Sequence, residues 1–396
     1  MKKFLFLFVL LAGLITSGYV YGQKVAPQLQ DGKYFFQVAN VYFEVDPSFG
    51  ARISGLKVDN TEIMFVDSSN GSYLWGSTFW QSPQSEWNWP PSTALDQNPY
   101  KGGIHGDSIS FLGSVDNTYN TNLRFRKTFY ADLSDTSVTI IYSMINTGST
   151  AHSYSPWEIS RVPAGGMFFF PYGAGNITGP FAPYVSKMNN MAWYKYQSSD
   201  PGGNKFMSDG AEGWSAWIND NNVVFIKKFQ DVPSDKSAPG ENEVEMYFNG
   251  PESYIELENQ GTYSNIPAGD SLVWKMKWYL RNLPSGINRD KGSIDLANYV
   301  RKVVKYNPSY INKTVINNIK VYPNPANNYL KLSGLNHEAV FIISDVSGKI
   351  LQESSVEGQN TIITLNNLTD GFYFYRIKSP NDIVTGKFLI NRLQVN

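Results

Sequence analysis

Four side chains of this 396-residue chain could exchange protons with a bound substrate: Glu256, Glu258, Glu158 and His105. Glu256 and Glu258 belong to the run YIELE, where a strand would place both on one face, about 6.6 Å apart along the chain. Glu158 lies in the run SPWEISRV, and His105 lies in GGIHGD. General acid–base chemistry needs one group that accepts a proton and one that donates it. We therefore expect Glu258 or Glu256 to act together with Glu158 or His105.

Other carbohydrate chemistries use the same residue types. Paired carboxylates also hydrolyse glycosides, and a separation of about 6.6 Å lies between the spacings typical of retaining and inverting enzymes. A better pair for hydrolysis would be Glu158 facing Glu258. A polysaccharide lyase would need a cation beside a uronate and a Tyr or His base, for which the candidates are Arg161, Arg52, Tyr172 and His105. Metal binding has no support beyond ordinary Asp–Asn turns, and we expect neither a metal nor a cofactor.

Tryptophans cluster in one unusual segment, 73–100, which holds Trp75, Trp80, Trp87 and Trp89 together with four prolines. This composition predicts a long ordered loop rather than a strand or helix, and such loops often lie over a binding surface. Exposed indoles would stack on sugar rings, whereas buried indoles would only fix the loop to the core. The residues predicted to bind a substrate are Trp157, Arg161, Arg52, Trp75, Trp80 and Trp89.

Short alternating strands separated by turns fill most of the chain. In the strand predicted over 155–162, Glu158 and Ser160 share one face, and Trp157, Ile159 and Arg161 share the other. More than a dozen such strands with no helices between them exclude a βαβ architecture and predict a large antiparallel sandwich. One helix is predicted, over 293–305, because apolar residues recur there with helical spacing.

Charge and composition limit the partners and the compartment. The net charge is −1 with 17% charged residues, so neither nucleic acid nor anionic lipid is an expected partner. The chain has no cysteine.

Lys2 and Lys3 precede an apolar run over 4–15 and small residues near 22, the pattern of a secretory signal peptide over 1–22. No other segment is apolar over the length of a membrane span, so we expect none in the mature protein.

The end of the chain, 319–396, reads as a separate small β-sandwich after a polar linker over 307–318. It carries VYPNPA from Val321, DVSGK from Asp345, LTDGFY from Leu368, and Lys387-Phe388. In these motifs and their spacing it resembles the C-terminal (type A) sorting domain of the type IX secretion system of Bacteroidetes. That resemblance implies export by this machinery, removal of the tail, and a secreted or surface-attached product.

The large domain, 23–306, resembles the galactose mutarotase-like supersandwich and, within it, an uncharacterised (DUF4380-type) group. The similarity rests on the runs FGARI from Phe49, WPP from Trp89, NTG from Asn146 with PWEI following, and IPAGD from Ile266. In mutarotases a catalytic His follows the Asn turn, and a late strand supplies a glutamate base. Here PWEIS replaces the first element without a His, and Glu256 or Glu258 stands in the second.

The sequence thus predicts an all-β protein: a large antiparallel β-supersandwich followed by a small C-terminal β-sandwich. The expected function is acid–base chemistry on a sugar, as in an aldose epimerase. The alternatives are a non-catalytic carbohydrate-binding surface protein, an accessory of a lyase or hydrolase, and a surface protein with no ligand. The expected site is a trough with Trp157, Glu158 and the late acidic strand as its floor and the Trp-rich segment as its roof.

Overall fold

A computed structural model describes residues 24–67, 73–87, 89–118, 121–250, 253–305, 319–335, 338–345, 349–358, 361–378 and 383–392. The chain forms two compact units, Met1–Tyr306 and Asn307–Asn396. The signal peptide predicted over 1–22, the linker predicted over 307–318, and His337 lie outside the described residues.

The larger unit contains 22 strands among its described residues. They are β1 (Lys24–Val25), β2 (Gln28–Gln30), β3 (Lys33–Val38), β4 (Val41–Asp46), β5 (Arg52–Val58), β6 (Thr61–Glu62), β7 (Ser77–Ser82), β8 (Lys101–His105), β9 (Ser108–Leu112), β10 (Leu123–Asp132), β11 (Ser137–Asn146), β12 (His152–Pro163), β13 (Met167–Pro171), β14 (Ser186–Met188), β15 (Met191–Lys195), β16 (Asn204–Ser208), β17 (Trp214–Ile218), β18 (Val223–Lys228), β19 (Val244–Phe248), β20 (Tyr254–Gln260), β21 (Ser264–Ile266) and β22 (Ser271–Asn282). The α-helices are α1 (Thr93–Asp96) and α2 (Ile294–Val303), and short 3-10 turns span Gln84–Glu86, Ala182–Tyr184 and Ser234–Lys236.

These strands form two antiparallel sheets. The first sheet has the order β14-β15-β13-β17-β18-β22-β11-β10-β9-β8, with β1 added beside β10. The second sheet has the order β16-β19-β20-β12-β7-β5-β4-β3-β2, with β21 and β6 pairing at β12 and β5. Since β7, β12 and β20 are neighbours in the second sheet, their outward side chains share one surface.

The two sheets pack face to face over one aromatic core. Phe79 of the second sheet stacks on Tyr142 of the first with ring centroids 4.1 Å apart, and Phe43 meets Trp278 edge to face at 6.0 Å. The inward positions alternate along each strand as the sequence predicts: in β10, for example, Phe125 and Phe129 are fully buried. This layering is the expected result of burying one face of each sheet.

Helix α2 covers part of the outer face of the first sheet. Ser293 caps it by accepting a hydrogen bond from the Leu296 amide at 3.1 Å, and Ala297 and Val300 are buried against the sheet. The sequence predicts this helix over 293–305, and the structure shows it over Ile294–Val303. Tyr279 of β22 faces away from the main core and is buried under this helix.

One prediction about the Trp-rich segment is wrong. The segment 73–100 was expected to be neither strand nor helix, yet β7 lies within it and all six of its residues are buried. Strand β7 pairs with β12 through Trp80 opposite Trp157. The described residues that flank β7 in this segment form loops, the 3-10 turn Gln84–Glu86 and the single turn of α1. The proline and tryptophan content hid a central strand, because cross-strand pairing overrides local propensity.

The smaller unit has strands β23 (Lys320–Tyr322), β24 (Tyr329–Ser333), β25 (Ala339–Ser344), β26 (Ile350–Val356), β27 (Thr361–Thr364), β28 (Gly371–Lys378) and β29 (Ile383–Ile390). They form a three-stranded sheet, β23-β24-β27, and a four-stranded sheet, β26-β25-β28-β29. Its own apolar core includes Leu330, Leu332, Phe341 and Ile343. The predicted all-β class, with a large antiparallel sandwich followed by a small one, is confirmed.

No helix among the described residues combines the length and the apolar character that crossing a bilayer requires.

Candidate functional site

A pocket of about 400 Å³ lies on the outer face of the second sheet. We call it the aromatic pocket. It is lined by Leu74, Trp80, Gln84, Trp89, Trp157, Lys205, Tyr247, Asn249, Tyr254, Glu256 and Glu258. Its walls thus combine large apolar rings with a few convergent charged groups, the usual make-up of a small-molecule site.

Strand register explains why the two late glutamates point into this pocket. In β20, Glu256 lies between Arg161 of β12 and Tyr247 of β19, and Glu258 lies between Ile159 and Glu245. Residues that are direct cross-strand partners share a face. The face is the one opposite to the sandwich core, so the glutamates line a surface pocket instead of the interior.

Glu258 is a nearly fully buried carboxyl at the floor of the aromatic pocket. Its Oε2 accepts a hydrogen bond from Trp157 Nε1 at 2.9 Å. Burial raises the pKa of Glu258 to about 8; Lys205 opposes this rise, whereas the Glu245 and Glu256 carboxylates add to it. A carboxyl with such a pKa keeps its proton at neutral pH and can donate it.

Lys205 connects Glu258 to a further carboxyl. Its Nζ lies 2.6 Å from Glu245 Oε2 and 3.7 Å from Glu258 Oε2, and it sits 5.1 Å from the centroid of the Trp157 ring. Burial lowers the pKa of Lys205, but the Glu258 and Glu245 carboxylates together raise it above its ordinary value. Lys205 therefore stays charged, and the two carboxyls around it compete for one cation.

Glu256 has a different environment. Its Oε1 forms an ion pair with Arg161 Nη2 at 2.7 Å, and Arg161 is fully buried. Because a guanidinium is always charged in a protein, this contact places a permanent cation beside the Glu256 carboxyl. The guanidinium also lies 5.7 Å from the ring centroids of both Trp80 and Tyr254. The pocket thus holds one carboxyl paired with a permanent cation and one carboxyl whose pKa is raised by burial.

Four indoles cluster on the aromatic side of the pocket, and three of them, Trp80, Trp89 and Trp157, line it. Trp80 meets Trp157 edge to face at 5.5 Å and Trp89 at 5.7 Å, and Trp87 lies 6.4 Å from Trp89. Trp80, Trp87 and Trp157 are buried, whereas Trp89 is 49% exposed. Within the Trp-rich segment, Trp80 and Trp87 therefore pack into the structure, and Trp89 leaves part of its ring open to solvent.

Arg52 and Trp75 lie beside the aromatic pocket but do not line it. Arg52 Nη2 is 3.0 Å from Asp96 Oδ2, and the guanidinium lies 4.8 Å from the Trp75 ring. The other oxygen of Asp96 accepts a hydrogen bond from Trp80 Nε1 at 2.8 Å. Arg52 thus positions Trp80 through Asp96, a residue that the sequence reasoning missed.

Glu158 is not in the aromatic pocket. It points between the two sheets, where its Oε2 lies 2.7 Å from Lys227 Nζ of the first sheet, with both side chains at most 1% exposed. Ser77 and Ser160 also donate hydrogen bonds to it. Because its cross-strand partner is Asn259 and not Glu258, the two glutamates occupy opposite faces. The predictions that Glu158 faces Glu258 and that Glu158 lies in the floor of the trough are therefore incorrect.

His105 is also distant from the aromatic pocket in the fold. It ends β8, an exposed edge strand of the first sheet, and its carbonyl accepts a hydrogen bond from Ser108 Oγ at 2.8 Å. The pocket belongs to the second sheet. A partnership of His105 with Glu258 is thus not formed in this structure.

The sequence analysis did not identify two charged residues at the site: Lys205, which lines the pocket, and Glu245, which pairs with it. A signal for Glu245 existed: in VEMYF, the alternation of Val244, Met246 and Phe248 as core residues leaves Glu245 and Tyr247 on the outer face. Lys205 gives no comparable signal. It comes from an edge strand, and its partners are set only by the pairing of β16 with β19.

Residues 320–391 match the family model described as the secretion system C-terminal sorting domain. This confirms the resemblance of the tail to a type IX sorting domain and indicates export to the cell surface or the medium. No curated protein matches the chain significantly.

Several solved structures resemble the larger unit. A galactose mutarotase-like protein from Lactobacillus casei is 10% identical, with 63% of this chain and 100% of that chain covered and a TM-score of 0.44. One from Clostridium acetobutylicum is 12% identical, covering 65% and 98%, with a TM-score of 0.43. A galactose mutarotase related enzyme from Lactobacillus acidophilus is 10% identical, covering 64% and 98%, with a TM-score of 0.46.

Proposed function

We propose that the exported protein binds a saccharide in the aromatic pocket and performs acid–base chemistry on it with Glu258 and Glu256. One observation carries the proposal: two glutamates from one strand face line the same aromatic pocket, but they have different partners. Glu258 is buried against Trp157, and Glu256 is paired with Arg161. Two carboxyls held in contrasting environments are typical of acid–base pairs.

The chemistry is that of an aldose epimerase. The Glu256 carboxylate takes the proton of the anomeric hydroxyl while the Glu258 carboxylic acid protonates the ring oxygen. The bond between C1 and the ring oxygen then breaks and leaves an open-chain aldehyde. Rotation about the C1–C2 bond and the reverse transfers close the ring with the other anomeric configuration. Both protons return to where they came from, so no co-reactant is consumed.

Saccharide binding without turnover is the second candidate, and the exposed ring of Trp89 supports it. A flat indole, 49% exposed beside buried Trp80 and Trp87, is suited to stacking on the apolar face of a sugar. Such a binding site would need no proton transfer.

The two candidates are separated by measuring binding and turnover on the same full-length chain. Binding is screened on a glycan array. Turnover is measured by polarimetry with freshly dissolved α-D-glucose and α-D-galactose, and by release of 4-nitrophenol from a panel of 4-nitrophenyl glycosides. Faster mutarotation supports the acid–base proposal, and glycan binding without any turnover supports the binding protein. Release of 4-nitrophenol would identify hydrolysis, and absence of both binding and turnover would contradict any saccharide role.

We expect the rate to fall at alkaline pH. A proton donor works only while it is protonated, and burial raises the pKa of Glu258 from the ordinary value of 4.5 to about 8. The protonated form therefore persists through neutral pH and is lost as the pH rises through about 8. The profile of kcat/KM against pH in the polarimetric assay measures this limb. A rate that already declines near the ordinary glutamate value would contradict the assignment of Glu258 as the acid.

We expect Trp89→Ala to weaken saccharide binding by about tenfold, as for an exposed aromatic residue that anchors a ligand. The fold should be unaffected because the Trp89 ring lies at the surface. The affinity for the best glycan of the array is compared with that of Tyr184→Ala. Tyr184 is a matched control, since it is an aromatic residue of similar exposure (43%) that does not line the pocket. Equal affinities of the two variants would show that Trp89 does not contact the ligand.

A further inference from the structure

A second open surface lies on the outer face of the first sheet, where helix α2 ends. It is far more basic than the aromatic pocket. It is a groove of about 590 Å³ lined by Lys228, Lys275, Lys277 and Lys305, with Asp135 as its one lining carboxylate. Four ammonium groups and one carboxylate give this basic groove a formal charge of +3, whereas the whole chain carries −1.

Contacts within the basic groove leave most of this charge uncompensated. Lys277 Nζ lies 2.6 Å from Asp135 Oδ2, and Lys228 Nζ donates to the Val304 carbonyl at 2.6 Å. Burial lowers the pKa of Lys228, and Lys277 and Lys305 lower it further, so these three ammonium groups lie within range of one another. Lys275 and Lys305 are exposed, and neither forms an ion pair with the described part of the chain.

The open sheet face beside the basic groove continues the positive charge. In register, Arg126 of β10 lies opposite Ser143 of β11, which lies opposite Val273 at the edge of the groove. Neighbouring strands are about 4.8 Å apart, so Arg126 is two strands, or about 10 Å, from the groove. The outward positions of 124–130, 139–145 and 271–277 hold cations, hydroxyls and apolar groups but no carboxylate.

We propose that the basic groove and the sheet face next to it bind an anionic polysaccharide, one that carries carboxylate or sulfate groups. Complementary charge is the first reason. The second is that the surface offers little aromatic area to a ligand. The rings that line the groove, Phe229, Trp274 and Tyr279, are buried. The one outward aromatic ring on the three strand segments, Tyr130, provides no platform for stacking successive nucleic-acid bases.

Two other occupants fit this surface less well. Tyr306 and the predicted linker follow Lys305 in the chain. Residues 306–318 contain no acidic residue and one lysine, so their charge does not complement the groove. The aromatic pocket is not an alternative site for a polyanion, because its cations Arg161 and Lys205 are already paired with Glu256 and Glu245. The inference is therefore independent of the proposed catalysis.

The test measures binding of the full chain to dextran sulfate, with neutral dextran as the uncharged reference. The variant Lys275→Gln with Lys305→Gln removes the two exposed, unpaired cations. The variant Lys195→Gln with Lys236→Gln removes two other exposed lysines and changes the net charge by the same amount. We expect the groove variant to bind dextran sulfate about tenfold more weakly, the control variant to bind like the unmodified chain, and added salt to weaken binding.

Two results would overturn the proposal. Equal loss in both double variants would show that binding follows net charge and not the groove. Binding of a single-stranded oligonucleotide or of vesicles containing anionic phospholipid as tightly as dextran sulfate would show a surface that does not select polysaccharide. Selective binding of dextran sulfate that is lost only in the groove variant supports it.

Discussion

Replacing Glu258 with glutamine is expected to reduce turnover by about 10²–10⁴-fold, the usual contribution of a general acid, with little change in saccharide affinity. Glutamine has nearly the same shape, and its amide oxygen can still accept the hydrogen bond from Trp157 Nε1, which is 2.9 Å long in the unmodified protein. The amide cannot release a proton to the ring oxygen, however. Polarimetry with α-D-galactose and binding on the glycan array measure the two quantities separately.

The matched control for this experiment is Glu245→Gln. Glu245 is the cross-strand partner of Glu258 and also pairs with Lys205, so this variant changes the same charge cluster but keeps the Glu258 carboxyl. Because the Glu245 carboxylate helps to raise the pKa of Glu258, its loss should lower that pKa. We expect turnover to persist, with its alkaline limb moved to lower pH. Turnover that survives in Glu258→Gln, or an equal loss in both variants, would contradict the role of Glu258.

Local sequence patterns predicted the faces of the strands well. Alternation placed Glu256 and Glu258 on one face and Ile255 and Leu257 on the other, and the structure agrees, because the side-chain period of a strand is two. The same rule correctly separated Glu158 from Trp157 and Arg161. The faces of these strands could therefore be predicted from spacing alone, as could the helix, whereas the identity of the tail came from its motifs.

Sheet order could not be read in this way, and the errors at the site follow from that. Whether Glu158 points inward or outward depends on which face of β12 meets the first sheet, and that contact joins Glu158 to Lys227, 69 residues away. Lys205 reaches Glu245 only because β16 pairs with β19. Long-range pairing leaves no local signal, whereas alternation does.

The tryptophans show the same limit in another form. Trp80 looks like a loop residue because prolines and polar residues surround it, yet β7 carries it in the middle of the second sheet. Asp96 fixes its indole by accepting the Nε1 hydrogen bond and is itself held by Arg52. A buried ion pair formed by residues 44 positions apart gives no pattern that composition or periodicity could detect.

Breaking the buried ion pair of Glu158 and Lys227 is expected to have the largest effect on stability. Lys227→Met should lower the free energy of unfolding by about 3–5 kcal/mol, because it leaves the Glu158 carboxylate buried without its cation. Burial already lowers the pKa of Lys227, and the Glu158 carboxylate opposes that change, so each charge depends on the other. Urea unfolding of the variant and the unmodified chain measures the difference.

The reciprocal variant, Glu158→Gln, tests whether this glutamate has any part in the chemistry. Since Glu158 lies on the core side of β12 and contacts Lys227, Ser77 and Ser160, it should destabilise the fold but leave the turnover of each folded molecule unchanged. Turnover is therefore normalised to the folded fraction at the assay temperature. The double variant Glu158→Met with Lys227→Met should recover much of the lost stability, because it removes both charges from the core together. Loss of turnover in a fully folded Glu158→Gln protein would return Glu158 to the catalytic group and contradict its assignment to the core.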